Sequence, residues 1–426
     1  MISFVKRLWR DPRGNVLAIV GAAIPLVVGS AGLATDTIQW VTWKRELQRA
    51  ADSAAYAGVY AKAQGAATAN AAVTNDLTKH QSTGIVLVSG YPQIAYPTSG
   101  SWNNGVQVTL AVQKRLGFSS LFISAAPTIT ATATAAMVDD GDFCIVALED
   151  TTTAGITIGG SADVNMGCGV ISNSINVDES IDTNGNAYHL GASPVAGSGG
   201  LPSASLLSHG ATNVQPYHMP QIDPYAGMFD MGIPANVTCR TNINSTGARD
   251  GSGNLNPGCY NNFNPGNGTT NLNPGVYYLN NTGLSINGNT TITGNGVTLI
   301  FTGTNPGSVS INGNSVINLT APNASNCGVF GGIDSCNFQK MLMMQSNNAT
   351  LGNSNTINGN NGAGMDGAIY FPRAQMNFTG SSSAVTKCAM IVARRVDFQG
   401  NNAIQNNTTG CTSNTQVKGK RVKLVA

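Results

Sequence analysis

The sequence is poor in charged side chains. Only 10% of its 426 residues are Asp, Glu, Lys or Arg, and the formal net charge is +2, whereas roughly 25% charged residues is usual for a globular domain. A nucleic-acid-binding surface needs clusters of basic residues to replace phosphate counterions, and this chain has too few. Charge-driven disorder is also excluded, because 42% of the residues are hydrophobic and the net charge is small.

Charge is missing from two stretches in particular. Residues 14–35 carry none, and residues 251–333 contain no Asp, Glu, Lys, Arg or His. The second stretch is instead filled with Asn, Gly, Ser and Thr, and 33 of the 47 Asn residues fall between 251 and 426. This composition fits either low-complexity disorder or a β structure whose polar side chains stack on one another. Apolar periodicity decides between the two.

The uncharged stretch near the N-terminus predicts a transmembrane helix over residues 14–35. About 20 helical residues are needed to cross a hydrocarbon core of roughly 30 Å. The first charge after this stretch is Asp36. Four basic residues precede the uncharged stretch: Lys6, Arg7, Arg10 and Arg13. The positive-inside rule therefore predicts a cytoplasmic tail over 1–13 and an extracytoplasmic location for everything after about residue 36.

A cleaved signal peptide is the alternative interpretation of the same stretch. A signal peptide has a shorter apolar region followed by a small-x-small cleavage site, which residues 29–34 could imitate. Apolar residues nevertheless continue at helical spacing through residues 36–63. This continuity favours an uncleaved anchor.

Residues 36–140 have the pattern of a small α+β module. Helical spacing extends over residues 36–80, and residues 84–88, 106–112 and 128–134 follow as predicted strands. The last two alternate between apolar and polar residues, as half-buried strands do. Residues 116–123 form an apolar, turn-like link between them. A long helix followed by a small antiparallel sheet is therefore expected.

Two segments of this region resemble a known family. RDPRGNVLAIV at residues 10–20 and RELQRAADSAA at residues 45–55 are similar to the N-terminal region of TadG-like proteins of the Flp (Tad) pilus assembly system. Softer similarities to the family's C-terminal part lie at 273–278, 367–372 and 390–394. The resemblance implies a pilin-like module in a single-pass protein of the bacterial inner membrane. It also implies a role in pilus assembly, with other pilus-assembly components as partners.

The chain departs from type IV prepilins, which have a Glu five residues after the processed Gly. Ile19 stands at that position after Gly14, and the apolar stretch holds no acidic residue. Processing into a fibre subunit is therefore not expected. The metal motif Asp-x-Ser-x-Ser of von Willebrand A domains, which some relatives carry, does not occur in the sequence.

Residues 141–417 contain a recurring turn pattern. An apolar residue is followed by a polar link with Gly and Asn or Ser, and then by another apolar residue six positions on. The pentad SINGN is repeated at 285–289 and 310–314, a shift of 25, and looser copies start at Phe378 and Phe398, a shift of 20. Periods of 20–50 residues indicate stacked repeats. We therefore expect a mainly-β region, a right-handed parallel β-helix, whose stacked Asn side chains form hydrogen-bonded ladders.

One segment within this region and one that follows it are expected to differ from the repeats. Residues 190–235 contain six prolines with many Ser, Gly and Ala residues, which predicts an excursion along the surface of the solenoid. Residues 418–426 form a basic tail. It could lie on an anionic membrane surface or bind acidic partners, or it could be a final solvated strand.

All eight cysteines follow residue 143, in the segment predicted to be exported. An even count in such a segment suggests disulfides. Sequential pairing would close four loops of about 10–25 residues, each stabilising by about 3 kcal/mol in the chain-entropy model. Eight cysteines allow 105 connectivities, and metal binding would favour the Cys-x-x-Cys spacing that is absent. The candidates are Cys144, Cys168, Cys239, Cys259, Cys327, Cys336, Cys388 and Cys411.

The sequence predicts no catalytic, cofactor-binding or metal-binding residues. Arg394, Arg395 and Asp397 form the one tight group of charges in the repeat region, and a surface ion pair is the simplest explanation for it. We expect a structural protein that is not an enzyme, uses no cofactor and binds neither nucleic acid nor a small-molecule substrate. An adhesive or glycan-binding β-helix is the alternative, and a carbohydrate-active enzyme is a more remote one.

Overall fold

The computed structural model describes residues 14–63, 69–81, 84–100, 102–185, 187–228, 232–313, 315–358, 364–380, 383–407 and 417–425. The predicted tail 1–13, with its orientation residues Lys6, Arg7, Arg10 and Arg13, lies outside the described residues, as does Cys411. The chain forms two compact units, Met1–Asp139 with Arg421–Ala426, and Asp140–Lys420. The finer domain boundaries stay a prediction.

The first unit contains a long helix followed by an antiparallel sheet. Its elements are α1 (Gly14–Ala63), α2 (Ala69–Gln81), β1 (Gln93–Ala95), β2 (Asn103–Gln113), a short 3-10 helix (Ser119–Leu121) and the first part of β3 (Thr128–Ala147). β2 pairs antiparallel with β1 on one side and with β3 on the other. The strand predicted at 84–88 is absent, because glycines with positive φ, Gly84 and Gly90, confine it between turns.

The second half of α1 provides the core of this unit. Its buried face consists largely of alanines, which let the helix axis approach the sheet closely. The buried hydrophobic residues of α1 are Leu47, Ala50, Ala51, Ala54, Ala55 and Val59. On β3, Ile129, Ala131 and Ala133 are buried while the Thr residues between them are not. This alternation is the one that the sequence predicts for a half-buried strand.

The second unit is a large mainly-β region dominated by parallel pairing. Within the described residues, the strands of this unit join in one hydrogen-bonded sheet, except β20 and β21, which form a separate pair. The chain runs through the sheet in two passages, and the first consists of the strands between β3 and β11. These strands are β4 (Ile156–Ile158), β5 (Asp163–Asn165), β6 (Gly169–Ser172), β7 (Ile181–Thr183), β8 (His189–Gly191), β9 (Val195–Gly197) and β10 (Val214–Gln215), with α3 (Ser203–Ser208) before β10.

The second passage runs from β11 to the last strand. Its strands are β11 (Cys239–Arg240), β12 (Gly258–Tyr260), β13 (Gly268–Leu272), β14 (Gly275–Asn280), β15 (Leu284–Ile286), β16 (Thr290–Asn295), β17 (Val297–Thr302), β18 (Val309–Ile311), β19 (Val316–Thr320), β20 (Val329–Phe330), β21 (Ile333–Asp334), β22 (Met341–Gln345), β23 (Ser354–Asn358), β24 (Gly364–Thr379), β25 (Ser383–Phe398), β26 (Ala403–Asn407) and β27 (Val417–Leu424).

The parallel strands form three stacks, which the chain visits in turn. The first stack has the order β11-β12-β14-β17-β22-β24-β25-β3-β6-β9-β10. The second has the order β15-β18-β23-β24-β25-β4-β7. The third has the order β13-β16-β19-β24-β25-β26-β5-β8. The long strands β24 and β25 each contribute to all three.

The chain enters these stacks in the middle. The first passage adds strands on one side of β3 and ends at β10. The second passage begins at β11, at the opposite end of the first stack, and works back until β25 pairs with β3 through Ile391 and Ile145. The same closure joins β25 to β4 and β26 to β5. Residues about 245 positions apart in sequence therefore become neighbours in every stack.

The repeats identified in the sequence lie in register. Ile286 pairs with Ile311 across β15 and β18, as the shift of 25 predicts. Asn312 Nδ2 donates to Asn287 Oδ1 at 3.2 Å in the turn that follows, which is one step of an asparagine ladder. Phe378 and Phe398 also pair, and their rings stack with centroids 5.2 Å apart. Matched apolar positions therefore meet in the interior.

The stretch predicted as an excursion, 190–235, divides into two parts. Strands β8, β9 and β10 continue through residue 215, although each has only two or three residues and gives no usable periodicity. Residues 216–238 contain no strand in their described part and cross the first stack from outside. Gln221 N donates to Asn173 Oδ1 after β6, and the Tyr370 hydroxyl of β24 donates to Asp223. This segment carries the chain between the two ends of the stack.

Candidate functional site

The first half of α1 exposes its apolar side chains. Leu26 is 76% exposed, and Ile19 and Val27 are similarly open. In the described residues, one helix is long and apolar enough to cross a membrane, and only 6% of its most apolar stretch is buried. A signal sequence near the N-terminus would meet the same criterion. Apolar exposure along the whole helix surface is expected of a segment whose surroundings are not water.

Asp36 marks the end of this apolar half. Its carboxylate is 3% exposed and accepts hydrogen bonds from the Phe118 backbone N–H at 2.8 Å and from the backbone N–H and hydroxyl of Ser119. Burial raises the pKa of this carboxyl, but the hydrogen bonds from Ser119 and Phe118 outweigh it, so the pKa lies below its usual value. Asp36 therefore fixes the loop between β2 and β3 to the helix. The sequence alone gave no signal for this pairing.

The second half of α1 is fastened to the sheet by a different set of contacts. Gln48 Nε2 donates to the Thr132 carbonyl at 3.0 Å, and Lys44 donates to the Thr130 carbonyl. At Gly58 an added Cβ would lie 2.8 Å from Val106, so only glycine permits this approach. The helix thus packs as part of the module beyond Asp36, whereas its large apolar side chains before Asp36 are exposed.

Among the described residues, three disulfides cross-link the mainly-β unit. They join Cys144 to Cys168, Cys239 to Cys259 and Cys327 to Cys336, the same partners as in sequential pairing. Cys239 and Cys259 are direct register partners on β11 and β12, with Cα atoms 4.3 Å apart. The fourth predicted pair includes Cys411, outside the described residues. Disulfides suggest an extracytoplasmic location for this unit.

Arg394 and Arg395 pair with Glu149 and not with Asp397 of their own group. Glu149, whose side chain is fully buried, accepts from Arg395 Nε at 2.6 Å and lies 2.9 Å from Arg394 Nη2. Burial raises the pKa of Glu149, but hydrogen bonds from Thr151 and Arg395 and both arginine charges bring it below its usual value. Glu149 follows β3 and the arginines lie on β25, so this cluster sits where the two passages of the chain meet.

Asp397 lies on the adjoining second stack, in a polar groove of about 450 Å³. Its carboxylate accepts from Gln399 Nε2 at 3.0 Å. Burial raises its pKa, Gln399 opposes this, and the nearby charge of Asp182 adds to it. Thr157 separates the two aspartates in the ladder from β25 to β7. The groove is lined by Thr152, Thr153, Ala154, Thr157, Asn176, Glu179, Asp182, Gln375, Arg395, Val396 and Asp397.

The histidines of the proline-rich stretch do not share one environment. His218 is 7% exposed and packs edge-on against Phe143. His209 stacks on Tyr188 with centroids 4.1 Å apart. His218 lies in the segment 216–238 that crosses the first stack, and His209 follows α3. The environment of each is explained by packing of its segment on the strand stacks, which local composition does not encode.

Comparison with known families identifies the module at the N-terminus. Residues 14–71 match the family of TadE/G-like Flp pilus-assembly domains, which confirms the resemblance seen at residues 10–20 and 45–55. The match covers α1 and the start of α2. No curated protein matches the chain.

Proposed function

We propose that the chain is a membrane-anchored structural protein of a Flp (Tad) type pilus system. The family match over residues 14–71 carries this proposal. The apolar half of α1 anchors the protein in the bacterial inner membrane as a single pass, with the N-terminus in the cytoplasm. The module and the mainly-β unit act in the periplasm by contact with other pilus-assembly components. The disulfides support this location, because such bonds persist in oxidising compartments.

The mainly-β unit serves in this proposal as a rigid spacer or contact surface, built as a right-handed parallel β-helix. Three parallel stacks visited in a repeated order support the β-helix, as do the in-register isoleucines at 286 and 311. Left-handed glycines that stack on one another also support it. A Cβ at Gly160 would come within 2.8 Å of the Gly400 carbonyl oxygen on the neighbouring turn, so the turns are packed backbone to backbone.

The protein acts in this proposal without catalysis. Arg394 and Arg395, which could otherwise polarise a substrate, are occupied by Glu149 at the junction of the two passages. That contact has a structural explanation, since it holds β25 against β3. Asp397 and Asp182 line a groove. Thr157 lies between them in the ladder, and Gln399 donates a hydrogen bond to Asp397. These contacts explain the positions of the two carboxylates without a bound substrate.

Glycan adhesion is less well supported than assembly. Carbohydrate-binding faces commonly present aromatic rings, and the mainly-β unit contains no Trp. Its large rings are turned inward, including Tyr277, Phe301 and Phe398. Among the described residues of this unit, Tyr217 is the one strongly exposed large aromatic side chain, which provides no row of rings.

Gene deletion with complementation tests the proposal in the bacterium that carries this chain. Deletion should reduce Flp pili counted by electron microscopy, and the unaltered gene should restore them. Normal pili in the deletion strain would contradict the assembly role. Complementation with an Asp182→Asn, Asp397→Asn double variant should also restore pili. Failure of that variant, with unchanged protein level and disulfides, would contradict the absence of catalysis in the groove.

A further inference from the structure

The loop between β2 and β3 exposes three consecutive large apolar side chains. Leu121 and Phe122 are each 76% exposed, and Ile123 is 58% exposed. Consecutive exposed residues of this size are costly in water and mark a contact surface. The loop is not loosely placed, because its 3-10 helix is held by Asp36 through three hydrogen bonds.

The loop reaches the apolar half of α1. The ring of Phe118 fills the space beside Gly32, where an added Cβ would come within 2.3 Å of it. Gly32 precedes Asp36 by four residues, which is about 6 Å along a helix with a rise of 1.5 Å per residue. Phe118 and Phe122 are themselves in contact, with ring centroids 5.3 Å apart. The loop therefore extends past the first charged residue toward the exposed apolar segment.

The surroundings of the loop have the composition of a membrane–water interface. Trp40, 42% exposed, and Arg115 line an apolar hollow of about 400 Å³ beside Ile123. Lys114 Nζ lies 4.1 Å from the ring centroid of Trp43. Tryptophans and basic side chains occupy the headgroup level, where an apolar body meets a wet, charged surface.

From this arrangement we propose that Leu121, Phe122 and Ile123 insert into the outer leaflet of the inner membrane as a second membrane contact beside α1. The inference rests on the proposed anchor, because the lipid that surrounds residues 19–35 would also cover a loop packed at the same level. A bilayer is favoured over a protein partner by this continuity of apolar surface with the helix. Two contacts at fixed separation would hold the module in one orientation at the membrane.

Photo-crosslinking from single positions tests the insertion. The probe is p-benzoylphenylalanine, placed in the full-length protein at Phe122, at Leu26 in the apolar helix, or at Tyr96. Tyr96 is an exposed aromatic 46% open, located beside Lys62 at the far end of α1, and is the matched control. Irradiation of native membranes followed by mass spectrometry separates lipid adducts from protein adducts.

Lipid adducts at positions 26 and 122, several-fold more abundant than at position 96, are expected. Lipid adducts at 26 without any at 122 would overturn the inference while leaving the anchor intact. Protein adducts at 122 would likewise overturn it and identify the loop as a docking site for a partner. Absence of lipid adducts at both 26 and 122 would overturn the anchor as well.

Discussion

The apolar helix and the uncharged strand region lack charge for opposite physical reasons. In the first half of α1 the apolar side chains point outward, and Leu26 keeps 76% of its surface exposed. In strands such as β17, every residue from Val297 to Thr302 is buried. The helix lacks charge where its side chains face outward, and the strand lacks charge where its side chains are enclosed in the protein interior.

This difference teaches that composition alone is ambiguous about burial. In the proposed anchor a charge in the helix would face lipid, and a charge in the strand interior would face other side chains of the same chain. Both are unfavourable, but the first should affect location and the second should affect folding. Substitutions at matched residue types can separate these two costs.

Truncation of a buried ring should have the largest effect. Phe398 is 1% exposed and stacks on Phe378, so Phe398→Ala should lower the free energy of unfolding by about 4 kcal/mol through lost burial and a cavity. Urea denaturation of the detergent-purified full chain, followed by circular dichroism, measures this. Phe122→Ala is the matched control on an exposed ring and should change stability by less than about 0.5 kcal/mol. Equal losses for both would remove the distinction between the two regions.

Loss of the buried carboxylate at the chain closure should come next. Glu149→Gln should cost about 3 kcal/mol, near the lower end for breaking a buried ion pair, because both arginines keep part of their side chains in water. The folded pKa of Glu149 is lowered, so its stabilisation is present above the unfolded pKa and is lost as the pH falls through the folded value. Wild type and variant should therefore converge in stability at acid pH.

The control for that substitution is Glu179→Gln, which removes an exposed carboxylate from the same unit. It should leave the urea midpoint at pH 7 nearly unchanged. A wild-type to Glu149→Gln difference that persists undiminished in acid would contradict the role given to the ionised carboxylate.

A charge in the exposed half of α1 should affect location more than folding. Leu26→Lys places a cation where the proposed anchor would cross the membrane, at a cost of about 3 kcal/mol for insertion. The fraction of protein that stays in the membrane pellet after alkaline washing should fall. Tyr60→Lys, at a 41% exposed position in the water-side half, should leave that fraction unchanged. Full membrane retention of Leu26→Lys would argue against a lipid-facing position.

The sequence predicted features that depend on local pattern. The helix, strands β2 and β3 and the paired repeats at Ile286 and Ile311 follow from residue spacing, since these two turns are neighbours in the stack and lie 25 residues apart in sequence. The family match also rests on local sequence motifs within residues 14–71.

Features created by distant pairing were not predictable in this way. Glu149 meets Arg394 and Arg395 only because β25 closes onto β3, about 245 residues away. Nothing in the spacing of either segment signals this closure. Asp36 likewise finds its partners at residues 118 and 119, where the sequence shows only a short apolar link. In both cases the tertiary fold supplies a partner for a buried carboxylate.

The smallest effect should come from Asp397 and should have the opposite sign to that of Glu149. Burial and the charge of Asp182 raise its pKa, so its ionised form destabilises the fold at neutral pH, and this cost is relieved as the pH falls through the raised pKa. Asp397→Asn keeps an oxygen that can accept from Gln399 and should stabilise the protein at pH 7 by less than about 1 kcal/mol. Urea midpoints measured from pH 7 down to pH 3 should show this gain disappearing on acidification. A loss of stability at pH 7 would mean that the ionised carboxylate contributes favourable contacts in the groove, as Glu149 does at the closure.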